Sequence, residues 1–133
     1  MTPAAGSPYF SEEHLLFRDQ VRRFVEREIK PHAEAWEETG MVPREVLRRM
    51  GKLGFLGIRY PAQYGGSEMD TLASVILAEE LGRSTFGGFS VTVLVHTDMA
   101  SPHLANAGSA AQLEKLPRFI DISKSLFFSL CFS

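Results

Sequence analysis

His96 and Asp98 are the residues best suited to chemistry, because they interrupt the apolar stretch SVTVLVHTDMA at positions 90–100. Their side chains have two interpretations. Both can satisfy backbone groups near a helix break at Pro102, or both can face a ligand channel. The first is favoured, since a buried polar group is usually explained by its own hydrogen bonding. A catalytic dyad is excluded, because residues two apart on a helix point to different sides.

The remaining candidates for chemistry give no pattern typical of a catalytic or metal site. His96 and His103 lie seven residues apart, and the chain lacks the HxxxH, HExxH and CxxC spacings that bind zinc. The single cysteine, Cys131, lies in an apolar tail without an activating neighbour. The adjacent acids Glu79 and Glu80 are predicted to be a solvated pair on a helix rather than a base. We therefore predict no catalytic residue and no metal ligand.

The segment GFLGIRYPAQYGG at positions 54–66 combines four glycines with aromatic and branched apolar residues. It lacks GxGxxG and GxxxxGK[ST], and it follows a helix rather than a strand, so it is not a phosphate loop. We predict that it turns the chain between two helices, with Gly65 and Gly66 forming a turn. Its buried side chains are expected to be Phe55, Leu56 and Ile58.

A long first helix is predicted near the start of the chain. It begins at Ser11, with acids in its first turn, and it ends at Gly40. Pro31 predicts a kink or break at Lys30. Apolar residues recur at spacings of three and four and predict one buried stripe: Phe17, Val21, Phe24, Val25, Ile29, Ala33 and Trp36.

Further helices are predicted after it. Pro43 opens the second, which buries Val46, Leu47, Met50 and Leu53. The third begins near Asp70 or Thr71 and buries Leu72, Val75, Ile76 and Leu81. Residues 87–107 are ambiguous, because SVTVLVHT has the β-branched alternation of a strand while DMASPHLANAG favours a helix. A capping box of Ser109 and Gln112 opens a short last helix.

Composition restricts the possible partners. The 133 residues are 44% apolar and 23% charged, with a formal net charge of −2, so no pull toward nucleic acid or an anionic membrane is expected. No window has the roughly 20 apolar residues that span a bilayer. One cysteine indicates a reducing compartment. The first nine residues do not resemble a secretory or transit signal, so the expected location is the cytoplasm, with the mitochondrial matrix as the alternative in a eukaryote.

Four motifs in order, KPHAEAWEETGMVP, GFLGIRYPAQYGG, AEELGR and AGSAAQLEKLP, resemble the N-terminal domain of acyl-CoA dehydrogenases over residues 11–117. The resemblance implies an all-α bundle of five to six helices, with a helix rather than a strand at 88–106. It also implies a flavoprotein that uses FAD to oxidise the Cα–Cβ bond of acyl-CoA, and a homo-oligomer in the intact family member. By the same resemblance Val91, Thr92, Val95 and Met99 would line the acyl-chain cavity.

The resemblance also limits the expected activity. In the family the catalytic carboxylate lies in a C-terminal domain, and the flavin contacts come mainly from that domain and a middle β-domain. We expect a flexible arm at 1–10, the helical domain at 11–117 and a non-matching apolar tail at 118–133, as from a truncated or altered reading frame. The chain is then not catalytic alone. A helical interaction module and an acyl-chain carrier without redox activity are the alternatives.

Overall fold

The structure, a computed structural model, describes residues 8–114 and contains five helical segments and no strand within them. The predicted all-α fold is therefore confirmed. Most of the expected arm, and all of the expected tail with Cys131, lie outside the described residues.

The first helical segment departs from α geometry in one region, near Pro31. It consists of α1 (Glu12–Phe24), a first π segment (Val25–Ile29), a 3-10 turn (Lys30–His32) and α2 (Ala33–Thr39). Gly40 ends it in the left-handed region with a φ of 68°. The predicted break at Lys30 is thus a widened and then tightened turn, through which the chain remains helical.

The remaining segments confirm helix over strand. The second segment is α3 (Arg44–Lys52), and the third is α4 (Thr71–Gly82). The fourth consists of α5 (Gly87–Leu94), a second π segment (Val95–Ala100) and α6 (Ser101–Ala107), and the fifth is α7 (Ala110–Leu113). Phe89 and Val93 of α5 are fully buried, so burial overrides the β-propensity of the region. The predicted capping box opens α7, with the Ser109 N–H donating to Gln112 Oε1 at 2.8 Å.

The core contains the predicted stripe of the first segment, except that Trp36 is only partly buried against it. The glycine-rich segment, defined as residues 54–66, contributes Phe55, Leu56 and Ile58, as predicted. The Phe55 ring lies edge-on to Phe17 and to Phe24, at 5.8 and 5.7 Å between ring centroids. This segment is therefore anchored on α1 by aromatic packing.

Two apolar residues were wrongly predicted to be buried, and Leu72 is only half-buried. Leu53 is exposed, because it caps α3 just before Gly54 turns with a φ of 81°, so the helical period no longer applies. Val75 is exposed because it lies beside the buried stripe of α4. That stripe is formed by Ala73, Ile76, Leu77, Glu80 and Leu81.

Glu80 lies on that buried stripe, which corrects its prediction as a solvated acid. It is 1% exposed and accepts hydrogen bonds from Arg18 at 3.1 Å and from Arg22 at 2.9 and 3.0 Å. Arg83 adds an ion pair at 3.5 Å. Burial would raise the pKa of the Glu80 carboxyl, but the hydrogen bonds from Arg22 and Arg18 outweigh it and lower the pKa. The cluster joins α1 to α4, while Glu79 remains exposed beside it.

A second polar tie joins the starts of α1 and α4. His14 Nδ1 accepts from the Ser11 backbone N–H at 3.1 Å, so Nε2 carries the proton and donates to Asp70 Oδ1 at 2.8 Å. The same Asp70 oxygen accepts from the Ala73 N–H at the N-terminus of α4. The hydrogen bond from His14 lowers the pKa of Asp70. These contacts fix the first turns of both helices together.

Candidate functional site

The glycine-rich segment and the second π segment meet through two polar contacts. The Tyr60 hydroxyl donates to the Thr97 carbonyl at 3.1 Å, and Arg59 Nη2 donates to Asp98 Oδ1 at 3.1 Å. The other Asp98 oxygen accepts from Thr97 Oγ1 at 2.7 Å. Two adjacent residues of the segment therefore hold two adjacent residues of the helix.

Pro102 explains why the helix is wide at this point. Proline has no N–H and its ring clashes with the carbonyl four residues earlier, so an α-helical ladder cannot continue through it. Ser101 instead donates its N–H to the His96 carbonyl, five residues back, and its Oγ donates to the same oxygen at 2.6 Å. The π geometry is the local response to the proline.

This arrangement deprives the Thr97 carbonyl of its usual donors. The donor four residues on would be Ser101, whose N–H goes to His96, and the donor five residues on would be Pro102, which has none. The Tyr60 hydroxyl supplies the missing hydrogen bond from a buried position. Burial raises the pKa of the Tyr60 phenol, so the hydroxyl keeps its proton and remains a donor at neutral pH.

The four residues expected at an acyl-chain cavity do not share one face. Val91 and Met99 are 59% and 63% exposed, and Val95 between them is half-buried. Thr92 is buried instead, and its hydroxyl donates to the Gly88 carbonyl at 2.8 Å. Val91, Val95 and Met99 therefore form an outward apolar face, which we term the outer face, whereas Thr92 points toward the core.

His96 and Asp98 take different positions. His96 is buried, and its carbonyl accepts from Ser101. Asp98 is exposed and pairs with Arg59, so it ties two elements together rather than capping its own helix. Sequence reasoning missed Arg59 as the partner of Asp98 and Tyr60 as the donor to the neighbouring Thr97 carbonyl. The available signal was Pro102, since a proline within a helix leaves carbonyls that need other donors.

Five consecutive amides, from the end of the glycine-rich segment into the residues after it, are already paired. Gly65 and Gly66 donate to the carbonyls of Ala62 and Pro61, and the next three residues donate to Gly57, Tyr60 and Ile58. Gly65, with a φ of 86°, ends a 3-10 turn at Ala62–Tyr64. None of these five N–H groups is left to donate to a phosphate such as the pyrophosphate of a flavin.

Within residues 8–114 no helix is both long enough and apolar enough to cross a membrane. The same residues contain no group of three or more histidine, cysteine, aspartate or glutamate side chains that could hold a metal ion. The outer face itself lies on a helix that the glycine-rich segment contacts through Tyr60 and Arg59.

Comparison with known proteins identifies relatives of this architecture. The family described as acyl-CoA dehydrogenase, N-terminal domain, matches residues 11–122. The long-chain specific acyl-CoA dehydrogenase of Mus musculus mitochondria is 42% identical over 108 residues, which are 80% of this chain and 24% of that protein.

Solved structures agree. The acyl-CoA dehydrogenase of Geobacillus kaustophilus matches with a TM-score of 0.81 and 36% identity over 87% of this chain and 30% of that one. The Bacillus anthracis acyl-CoA dehydrogenase complexed with FAD gives 0.79 and 30% identity over 87% of this chain and 20% of that one. The chain thus spans less than a third of each of these three relatives. On these matches, and on the helical fold, the chain belongs to the acyl-CoA dehydrogenase family, where it corresponds to the N-terminal domain.

Proposed function

We propose that this chain supplies the N-terminal helical domain of an FAD-dependent oxidoreductase that acts on acyl-CoA thioesters. The outer face forms one wall of the acyl-chain site. The observation that carries this proposal is the exposure of Val91 and Met99, two large apolar side chains on a helix that is otherwise anchored in the core. An apolar surface of this kind fits an alkyl chain, because its burial against the chain is favourable.

The hydride chemistry is assigned to parts of the protein other than these residues. When bound, FAD would supply the acceptor for a hydride from Cβ, while a carboxylate outside this domain would take the proton from Cα, so that a Cα=Cβ double bond forms. Two features support this division. Glu80, the buried carboxylate of the described residues, is engaged by three arginines, and the five consecutive amides of residues 65–69 are paired. The chain alone is then not a dehydrogenase.

Titration calorimetry of the 133-residue chain with acyl-CoA of increasing length tests the acyl wall. Each additional buried CH₂ contributes about 0.8 kcal/mol, so affinity should rise about fourfold per methylene until the chain exceeds the face. Free coenzyme A, which lacks the acyl group, is the control. An affinity that does not depend on acyl length would remove the outer face from the proposal. Flavin absorbance on the purified chain would contradict the assignment of FAD to other parts.

A helical interaction module is the second candidate, favoured by further exposed apolar side chains on other elements. Leu16 and Leu53 are exposed in addition to the outer face. In the intact protein such surfaces would contact neighbouring domains or subunits, consistent with a homo-oligomer. Size-exclusion chromatography separates the alternatives, because a module that works by self-association elutes as an oligomer and an acyl-binding domain elutes as a monomer. An acyl-chain carrier without redox activity would bind acyl-CoA equally well in the absence of flavin domains.

The domain boundaries and the location are proposed on the same basis. The helical domain extends over 11–117 and an apolar tail over 118–133, although the family match reaches residue 122. The compartment is the cytoplasm, or the mitochondrial matrix in a eukaryote, and the mouse relative is named as mitochondrial. Removal of residues 118–133 should leave acyl-CoA affinity unchanged, and imaging of a tagged chain in its own cells would distinguish the two compartments.

A further inference from the structure

We propose that Tyr60 is a positioning residue for acyl-chain length selection. By donating to the Thr97 carbonyl, it holds the second π segment, and the π segment keeps Met99 in line with Val91 and Val95. The ligand in this inference rests on the proposed function, whereas the geometry stands on the described contacts alone.

The alignment of the outer face depends on the wide turn. Eight residues of an uninterrupted α-helix end about 80° away from the starting direction, at 3.6 residues per turn. Met99 lies eight residues after Val91, so in a regular α-helix the two side chains would diverge. A turn closed by hydrogen bonds to the fifth residue back contains more residues and removes part of that offset. Both side chains are accordingly exposed by similar fractions, 59% and 63%.

The π segment needs a donor that the helix itself does not provide. The Thr97 carbonyl has lost both Ser101 and Pro102 as donors, and a buried carbonyl without a partner is costly. Loss of the Tyr60 hydroxyl would favour a rearrangement in which Ser101 returns its N–H to Thr97. That rearrangement converts the wide turn toward α geometry and rotates Met99 away from Val91.

The backbone of Tyr60 is fixed well enough to impose this geometry. Its N–H donates to the Gly57 carbonyl at 3.2 Å, and its carbonyl accepts from the Glu68 N–H at 3.1 Å. Gly66 lies directly against the same carbonyl, where any larger residue would overlap it. Arg59 adds the pair with Asp98 one residue further along the helix. The glycine-rich segment is therefore a rigid support for the outer face.

The experiment combines methyl NMR with acyl-CoA titration on the full 133-residue chain. Tyr60→Phe removes the hydroxyl, and Tyr64→Phe, in the same segment, is the matched control. The Met99 methyl signal should shift in the first variant and remain in place in the second. Discrimination between long and short acyl chains should fall about tenfold in Tyr60→Phe, the size of a partial methionine contact, with short chains bound as before.

Pro102→Ala provides a second variant that does not touch Tyr60. It restores a backbone N–H, so the wide turn should relax and the Met99 signal should shift even if Tyr60→Phe fails to fold. Combining both substitutions should then add no further shift. A Met99 signal unmoved in either variant overturns the inference. Absence of acyl-CoA binding by the unmodified chain overturns the proposed function instead, and leaves a shifted Met99 signal as support for the positioning geometry.

Discussion

Two prolines set the points at which the long helices of this protein change pitch. The residue before each one, Lys30 before Pro31 and Ser101 before Pro102, donates its N–H five residues back, to Val25 and His96. The same backbone constraint therefore produces the same wide turn twice. In the second turn a side chain of another element, Tyr60, donates to a backbone carbonyl, that of Thr97.

The stability of the chain should reveal the connection between Tyr60 and Pro102. Tyr60→Phe leaves the Thr97 carbonyl without its donor and should lower the free energy of unfolding by about 1–3 kcal/mol. In a Pro102→Ala background a backbone N–H can replace the hydroxyl, so the same change should cost less than about 1 kcal/mol. Urea denaturation of the four chains measures both costs. Equal costs in the two backgrounds would contradict the coupling.

Gly66 should not tolerate even a methyl group. A Cβ atom there would overlap the backbone of Tyr60, so Gly66→Ala should destabilise the chain by about 1–3 kcal/mol or more. Gly82, the last residue of α4, has open space around it and serves as the control. Gly82→Ala should be neutral or should stabilise by about 0.4–1 kcal/mol through the unfolded chain. Thermal unfolding compares the stability of the two variants. A Gly66→Ala chain more stable than the Gly82→Ala chain would contradict the close contact at Gly66.

At the scale of elements, α1 and α4 contact each other at one point through buried charged side chains rather than through apolar ones. Arg18 and Glu80 lie at positions that fall on the buried faces of their helices, and each is less than a tenth exposed. The Phe10 ring also lies 5.2 Å from the Arg18 guanidinium. A buried charge is tolerated only with partners and hydrogen bonds, which both groups have here.

Removing one member of this cluster should be costly. Glu80→Gln leaves the buried Arg18 with only the exposed Glu79 as a charged partner, and we expect a loss of about 3–5 kcal/mol in the free energy of unfolding. Glu79→Gln is the matched control, because Glu79 is 53% exposed and contacts the same arginine. That change should cost no more than about 1 kcal/mol. If Glu80→Gln and Glu79→Gln lowered the free energy of unfolding equally, the buried pair of Arg18 and Glu80 would contribute no more to stability than the exposed pair.

The same carboxylate predicts how stability depends on acid. The folded-state pKa of Glu80 lies below its ordinary value of 4.5, so the unfolded chain binds more protons in the window between the two. Its contribution is complete above that ordinary value and is lost as the pH falls through the lowered one. Asp70 has the same sign because of His14. Glu80→Gln should therefore flatten, but not abolish, the acid limb of a stability–pH curve, and an unchanged limb would contradict the assignment.

Most of the elements could be predicted from the sequence, whereas their junctions could not. Period and capping residues located α1, α3, α4 and α7, because these are local signals. The stripe of α4 already contained the signal for Glu80, whose position repeats the spacing of Ala73, Ile76 and Leu77. Its charge obscured that signal, since burial of a glutamate depends on arginines about 60 residues away in the chain. The wide turns were equally hidden, because proline predicts a break without predicting its form.

At the scale of the whole molecule, the outer face exposes two large apolar side chains, Val91 and Met99. The family could be identified from four motifs, and the comparison confirmed it. The assignment of Val91, Thr92, Val95 and Met99 to an acyl site remains a prediction. Only the three outward residues fit it directly, since Thr92 donates inward to Gly88. The sequence could not distinguish the three outward residues from Thr92, because the direction of the side chains around a wide turn depends on contacts with another segment.

A charge placed on the outer face tests its role against that of an ordinary exposed apolar residue. Val91→Asp should weaken binding of long-chain acyl-CoA at least about tenfold, because an alkyl chain cannot be buried against a carboxylate without desolvating it. The free energy of unfolding should change by less than about 0.5 kcal/mol, since Val91 is exposed. Leu16→Asp places the same charge on α1, where the side chain is 66% exposed, and should leave binding unchanged. Equal loss of affinity in both variants would indicate non-specific adhesion of the acyl chain, and the outer face would then be a domain contact rather than an acyl wall.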